Sequence, residues 1–331
     1  MICFAYIISR LLRLNQAVDV VTGGAGFIGS HLVRALVEIG RKVVVIDNLS
    51  SSTTDAIKDL IDKGRVDFHK VDIRDKKALD DVFTGKETLL YHLAADPRVK
   101  ESVENPVDSY DQNVTGTVNL LEIMRAKKIP CMVFASSGGT LYGDTTQFPT
   151  PETVPLKPIS PYGASKAAAE MYMSAYAASY DLEIASLRFA NIYGPGSNHG
   201  VMYDFYHKLK KDPSRLEILG DGKQSKSYLY VMDCVNACTL TGEWLAKQKP
   251  GTFDFFNLGT KSWETVTDLA KVMVEILGLK NVKFEYTGGN RGWTGDVAKN
   301  LLDISKVEKM GWKPKTSFKD GVKKYLDSLR C

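Results

Sequence analysis

Short β-branched runs alternate with longer amphipathic stretches from residue 18 to about 195. DVVTGG (19–24), KVVVID (42–47), VDFHKVD (66–72), ETLLYHLAA (87–95), CMVFASS (131–137) and IASLRFANIYG (184–194) read as six strands. FIGSHLVRALVEIG (27–40) carries its apolar residues at helical spacing, and 107–127 and 161–181 read as long helices. Strands alternating with helices predict the α/β class: a doubly wound parallel sheet, covered on both faces, with right-handed crossovers. After about residue 195 the glycines and prolines become denser, the helices shorter, and strands recur singly. This predicts a smaller C-terminal α/β part over 195–331 that binds substrate. It is interleaved with the first part (18–194), because DFFNLG (254–259) looks like another strand of the same sheet.

Residues 1–17, MICFAYIISRLLRLNQA, precede the first strand. Arg10 and Arg13 interrupt the apolar stretch, and it has neither a basic start nor a small-residue cleavage site. That argues against a secretory signal. An accessory segment, or a translation start placed too early, is expected; the next methionine is Met124.

Composition narrows the class further. The 331 residues are 44% apolar and 25% charged, which excludes a disordered or disulfide-scaffold protein. The net charge of +4 is spread along the chain without a basic stripe, so no nucleic-acid partner is expected. No apolar run reaches the ~18 residues of a membrane span. Five scattered cysteines (Cys3, Cys131, Cys234, Cys238, Cys331) fit a reducing compartment, and a cytoplasmic location is expected. Cys234 and Cys238 lie four apart, but no histidine follows His207, so they read as structural thiols and no metal site is expected.

The sharpest local signal is TGGAGFIGS (22–30), which places Gly23, Gly26 and Gly29 at three-residue spacing between a strand and a helix. Glycine allows the tight turn, and the helix N-terminus favours a pyrophosphate. The fold is therefore of the Rossmann type. Phe27, Ile28 and Gly29 open the helix. The next strand ends at Asp47, followed by Asn48. A carboxylate there accepts both ribose hydroxyls of NAD and repels the 2′-phosphate of NADP. Asp72 and Ile73 end the third strand, where they meet the adenine or, for Asp72, cap the following helix. Leu93, Ala94 and Ala95 end the fourth with small residues where a cofactor passes closely. His92 reads as a core residue.

Tyr162 and Lys166 form Tyr-x-x-x-Lys within SPYGASKAAAEMY, one helical turn apart on one face. The ammonium is expected to lower the phenol pKa, so that Tyr162 exchanges a proton with a substrate hydroxyl, while Lys166 donates to the nicotinamide ribose. Ser136 and Ser137 end the preceding strand, and a serine there would share the hydroxyl proton. Tyr172, Tyr176 and Tyr180 read as packing residues.

TGGAGFIGSH, Asp47, HLAA, FASSGGTLYGD, SPYGASK, RFANIYGPG, GDG-x5-YLYVMD and RGWTGDV occur in the order of the extended short-chain dehydrogenases. Over roughly 18–325 the chain resembles the NAD-dependent epimerase/dehydratase family, nearest to its UDP-glucose 4-epimerases. The resemblance implies a tightly bound NAD that is not consumed and a homodimer. It also implies epimerisation at C4 of a UDP-hexose (UDP-galactose to UDP-glucose) through a transient 4-keto sugar. On this resemblance Ser137, Tyr162 and Lys166 are catalytic, with Ser136 beside the cofactor. Asn113 supports the cofactor loop, and Asn191, Val201, Lys226, Arg291 and Ser137 bind the substrate. Lys226 stands where the family more often has arginine. The dimer would pair helices 107–127 and 161–181 through residues such as Val114, Val118, Leu121 and Met124, unless these only pack on the sheet.

FASSGGTLYG is one residue longer than the form FSSSATVYG. Counting from Phe134 selects Ser137, whereas counting back from Tyr142 reaches Gly138; the strand end favours Ser137, with Thr140 as the alternative. Asn300 stands where some relatives carry a larger tyrosine, which would leave room for an N-acetylated sugar. A uronic-acid 4-epimerase keeps the same triad. Dehydratases and decarboxylases of this scaffold add an acid where Gly138, Gly139 and Thr140 stand here. A cofactor-sensing module without chemistry would not need the Tyr-Lys pair.

Overall fold

The computed structural model describes residues 18–293 and 295–330, so the expected accessory segment 1–17 lies outside them. The strands are β1 (Val18–Thr22), β2 (Lys42–Ile46), β3 (Val66–His69), β4 (Glu87–His92), β5 (Cys131–Ser137), β6 (Glu183–Phe189), β7 (Asn191–Tyr193), β8 (Arg215–Ile218), β9 (Ser225–Lys226), β10 (Tyr228–Tyr230), β11 (Phe253–Leu258), β12 (Glu264–Thr265), β13 (Lys283–Tyr286) and β14 (Lys299–Asn300). Seven form one parallel sheet in the order β11-β6-β5-β4-β1-β2-β3. The order reverses between β1 and β4, and in open α/β sheets ligands bind beyond the strand ends at such a switch.

Neighbouring strand residues face opposite ways, so a strand covered on both sides is apolar at most positions. Val21, Leu89, Val133 and Ala185 pack against Leu32, Val33 and Leu36 of helix Phe27–Glu38 and against Val235 and Cys238 of helix Val231–Leu245. Val20, Leu90, Met132 and Ile184 face the other layer, where Leu79, Leu120, Leu121, Met124, Ala169 and Met173 come from three helices. A separate core over the C-terminal part joins Phe205, Leu216, Ile218, Leu269, Met273, Tyr325 and Leu326.

Three expectations need correction. The run 184–194 is two strands, not one. Ala190 donates to the carbonyl of Leu258 and Asn191 to that of Ser227, so the chain changes partners and β7 pairs with β10. The helix expected at 107–127 carries a wider π turn at Asp111–Thr115, between Pro106–Tyr110 and Gly116–Lys127. Val114, Leu121 and Met124 are buried within the chain and cannot form a dimer face, and Val118 is half-buried. The exposed apolar residues of helices Val99–Glu104, Pro106–Tyr110 and Pro161–Tyr180 include Val103, Val107, Tyr110, Met171, Tyr172 and Tyr180.

Cys131, Cys234 and Cys238 are buried and in no disulfide. Among the described residues, no helix is long and apolar enough to cross a membrane.

Candidate active site

The turn after β1 is built by close backbone packing. Gly23 has φ +70°, donates to the Ile46 carbonyl at 2.8 Å, and leaves no room for a side chain: a Cβ would lie 2.7 Å from the Ala94 nitrogen. A Cβ at Gly29 would collide with the Gly23 carbonyl, and one at Gly26 would crowd the same atom. Phe27 and Ile28 open the helix half-buried and touch the C-terminal core. Asp47 is buried, and its carboxylate accepts from the backbone of Ala25 and of Leu49 at 3.0 and 2.8 Å. It therefore also braces the glycine turn. Leu93, Ala94 and Ala95 line the turn's other side, half-buried, with Leu93 and Ala94 hydrogen-bonded to Thr22.

Asn48 donates to Asp72 at 2.9 Å, and Arg74 binds the same carboxylate, holding its pKa far below the usual carboxylate range. Ile73 packs over Gly116, where a Cβ would strike it. Asn113 accepts from the Asp96 amide and donates to the Asp96 carbonyl and to Ser165 Oγ, tying the loop after β4 to the Pro161–Tyr180 helix. His92 is a satisfied core residue. It sits between Thr22 and Thr117, and burial together with nearby Lys166 pushes it down to about 3, so it is neutral.

The strand end and the helix start bring the reactive groups together. Ser137 Oγ accepts from Thr140 Oγ1 at 2.6 Å, and Ser137 lies near enough to the Tyr162 phenol to lower its pKa. Both hydroxyl residues weighed for the extended loop are therefore bonded to each other beside Tyr162. Ser136 faces elsewhere, its hydroxyl buried without a partner. The expected lowering of the Tyr162 pKa by Lys166 is absent. Burial pushes the phenol up to about 12, and nearby Ser137 only partly offsets this. Lys166 instead donates to the Ala135 carbonyl at 2.9 Å and lies 4.6 Å from the centre of the Phe134 ring. Burial lowers its own pKa to about 7. Gly138 and Gly139 allow this turn because Leu302 and Asn300 fill the space a side chain would need; the Asn300 amide nitrogen lies 2.7 Å from a Cβ at Gly139.

Asn191, Val201, His199 and Tyr228 line one shallow cavity beside β7. Lys226 and Arg291 lie on the C-terminal part, each with a carboxylate partner. Lys226 pairs with Asp296 at 2.8 Å and also reaches the Val297 carbonyl. Arg291 pairs with Asp144 at 2.5 Å and donates to the Asp296 carbonyl. Sequence reasoning did not single out Asp144, Asp296, Glu170 or Arg188. The last two had a visible signal, since each places a charge inside an otherwise mostly apolar run, AAAEMYM and ASLRF.

A parallel sheet with this glycine turn and a serine–tyrosine–lysine cluster at its strand ends defines a short-chain dehydrogenase type of protein. The chain belongs to the GDP-mannose 4,6 dehydratase family of NAD-dependent epimerases and dehydratases, whose model matches residues 20–325. It is 37% identical to a putative UDP-glucose 4-epimerase of Methanocaldococcus jannaschii, over 94% of this chain and 97% of the relative. Among solved structures it is similar to a Thermus thermophilus UDP-glucose 4-epimerase in complex with NAD (34% identity, TM-score 0.85, 95% and 99% of the two chains). It is also similar to a UDP-N-acetylglucosamine 4-epimerase of Methanobrevibacter ruminantium (28% identity, TM-score 0.86, 96% and 99%).

The residues fit NAD. The turn at Gly23, Gly26 and Gly29 is open only to backbone-close approach, and a carboxylate stands at the end of β2.

Proposed function

We propose that the chain interconverts UDP-galactose and UDP-glucose by epimerisation at C4 of the hexose, with NAD retained. The observation that carries this is the hydroxyl pair Thr140–Ser137 at the end of β5, beside Tyr162 and Lys166. NAD, when bound, supplies the reversible hydride acceptor for the sugar carbon. Gly23, Gly26, Phe27, Ile28 and Gly29 hold its pyrophosphate, Asp47 and Asn48 its adenosine ribose, and Asp72 and Ile73 its adenine. Leu93, Ala94 and Ala95, supported by Asn113, flank it with Ser136.

Tyr162 takes the proton of the sugar 4-hydroxyl and later returns it. A phenol near 12 is a poor base at neutral pH, so the step needs the Lys166 ammonium close to the oxygen. In this structure that ammonium is bound to the Ala135 carbonyl. Ser137 orients the hydroxyl, and Thr140 orients Ser137. Arg291 and Lys226 bind the diphosphate, and Asn191 and Val201 the nucleotide, so the sugar can turn while the nucleotide stays fixed. In this reading, residues 18–194 serve the cofactor and 195–331 the substrate.

Gly138 and Gly139 favour epimerisation over dehydration, since a carboxylate side chain there would meet Leu302 or Asn300. N-acetylhexosamine and uronic-acid substrates are the second reading, and Asn300 beside Gly139 is the feature that bears on the first of them. The chain is expected to act in the cytoplasm as a homodimer. Supporting the dimer, Val107 and Met171 are 77% and 55% exposed on neighbouring helices.

The test is incubation of the purified chain with UDP-galactose and no added cofactor, resolving the products by chromatography. A UDP-galactose/UDP-glucose equilibrium mixture is expected. No conversion, even with NAD added, would overturn the assignment to these sugars.

A further inference from the structure

One buried ion pair lies behind the reactive groups. Glu170 and Arg188 are almost fully buried, with Arg188 Nη2 2.6 Å from Glu170 Oε2 and its Nε 3.1 Å from Oε1. Ser186 donates to Glu170 Oε1 at 2.7 Å, so both carboxylate oxygens are engaged. Arg188 stacks 4.0 Å from the Phe255 ring centre and donates to the Tyr142 hydroxyl, which in turn donates to Asn257 on β11.

The pair joins the segments that carry the reaction. Glu170 is one turn beyond Lys166 on the helix that begins with Tyr162. Arg188 stands opposite Ser136 in the β5–β6 ladder, one residue from the Ser137 register. Tyr142 ends the short helix that follows Ser137 and contains Thr140. A buried charge persists only when paired and hydrogen-bonded, and here the bonds also fix relative position.

Lys166 gives the pair a second role. The groups against its ammonium are the Phe134 ring and Ala135 carbonyl from β5, while His92 from β4 and Glu170, one turn along its own helix with its carboxylate on Arg188 and Ser186, act on it through space. His92 is neutral, so Glu170 is the carboxylate that holds the buried ammonium up against desolvation.

We propose that Glu170, clamped by Arg188, is the positioning residue of the reaction. It fixes the Tyr162–Lys166 turn against the strand end bearing Ser137, and it supplies the negative charge opposite the Lys166 ammonium. This rests on the catalytic roles given above to Tyr162 and Lys166.

The test combines the pH profile of turnover with 15N NMR of the lysine Nζ groups, the Lys166 signal being assigned by its loss in Lys166→Met. In Glu170→Gln the alkaline limb of turnover and the Lys166 titration should both move to lower pH by about one unit. Glu170→Asp, which keeps the charge, should restore most of the shift. Tyr142→Phe should slow turnover without moving the limb. A folded Glu170→Gln protein with the wild-type limb and titration would overturn the proposal. If that variant does not fold, Glu170→Gln with Arg188→Met removes the clamp and both charges together, a change buried pairs often tolerate; turnover should then fall by about tenfold or more with the limb little moved, and wild-type turnover would overturn the proposal. If the chain turns over no UDP-galactose at all, the functional reading falls, while the Lys166 titration still decides the role of Glu170.

Discussion

The loop at 22–30 is held by backbone contacts and buried neighbours. The loop at 288–297 is held by side-chain charges. In the first, Gly23, Gly26 and Gly29 close on one another and on Ile46 and Ala94 with no room for a Cβ. In the second, Gly288 and Gly289 have positive φ and open space around them, and Arg291 and Lys226 are held by Asp144 and Asp296. A site built from backbone is formed before its ligand arrives, which suits a cofactor that is never released. A site whose cations already have carboxylate partners must exchange those partners for phosphate, which suits a substrate that comes and goes.

The largest effect is expected at the reactive end of the first region. Tyr162→Phe should lower turnover by roughly a thousandfold, within the range of general acid–base catalysis. UDP affinity by calorimetry should stay unchanged. A parallel loss of UDP affinity would mean that Tyr162 holds substrate rather than a proton.

The second region is expected to respond in KM. Arg291→Ala should raise KM for the UDP-sugar by about 10–100-fold, as loss of a charge-assisted phosphate contact does. An unchanged KM would remove Arg291 from the diphosphate site. Asp144→Asn should act in the opposite direction. Freeing Arg291 from a half-exposed pair should lower KM by at most about fivefold, and the gain should shrink at high salt. A raised KM would show that Asp144 holds the loop in its binding form.

The smallest effect separates stability from chemistry. Lys166 has its pKa lowered by burial from 10.5 to about 7, so the unfolded chain binds the extra proton more tightly between those values. Its destabilising contribution is complete below about pH 7, falls as pH rises, and is gone above the unfolded value. Lys166→Met should therefore raise the melting temperature by a few degrees at pH 6 and by less at pH 9, while abolishing turnover. An equal gain at both pH values would place the lysine charge in water.

Much of the fold was legible because the central strands are mostly apolar on both faces, and the helices keep a 3.6-residue period. The break at Ala190 was not legible. RFANIYG is continuous in hydropathy, and only the hydrogen-bond partners on β11 and at Ser227 divide it. The residues expected to pair two copies proved to be core, since Val114, Leu121 and Met124 and the exposed Val107 and Tyr110 all fit a helical period. The positions in the site were legible where a motif fixes spacing, as for Tyr162 and Lys166. Their electrostatics were not. A one-turn separation suggests that the ammonium acts on the phenol, whereas the folded chain turns the buried Lys166 to the Ala135 carbonyl and leaves Tyr162 half-buried. The partners Asp144 and Asp296 are 147 and 5 residues from Arg291, and spacing alone distinguishes neither from a solvated acid.

The central claim is that one carbon of the sugar is inverted by a transfer that never leaves the site. UDP-galactose deuterated at C4, incubated with the purified chain and no added NAD, tests it most directly. The account predicts UDP-glucose with the deuterium still on C4. Loss of the label to water, or a product lacking oxygen at C6, would contradict it.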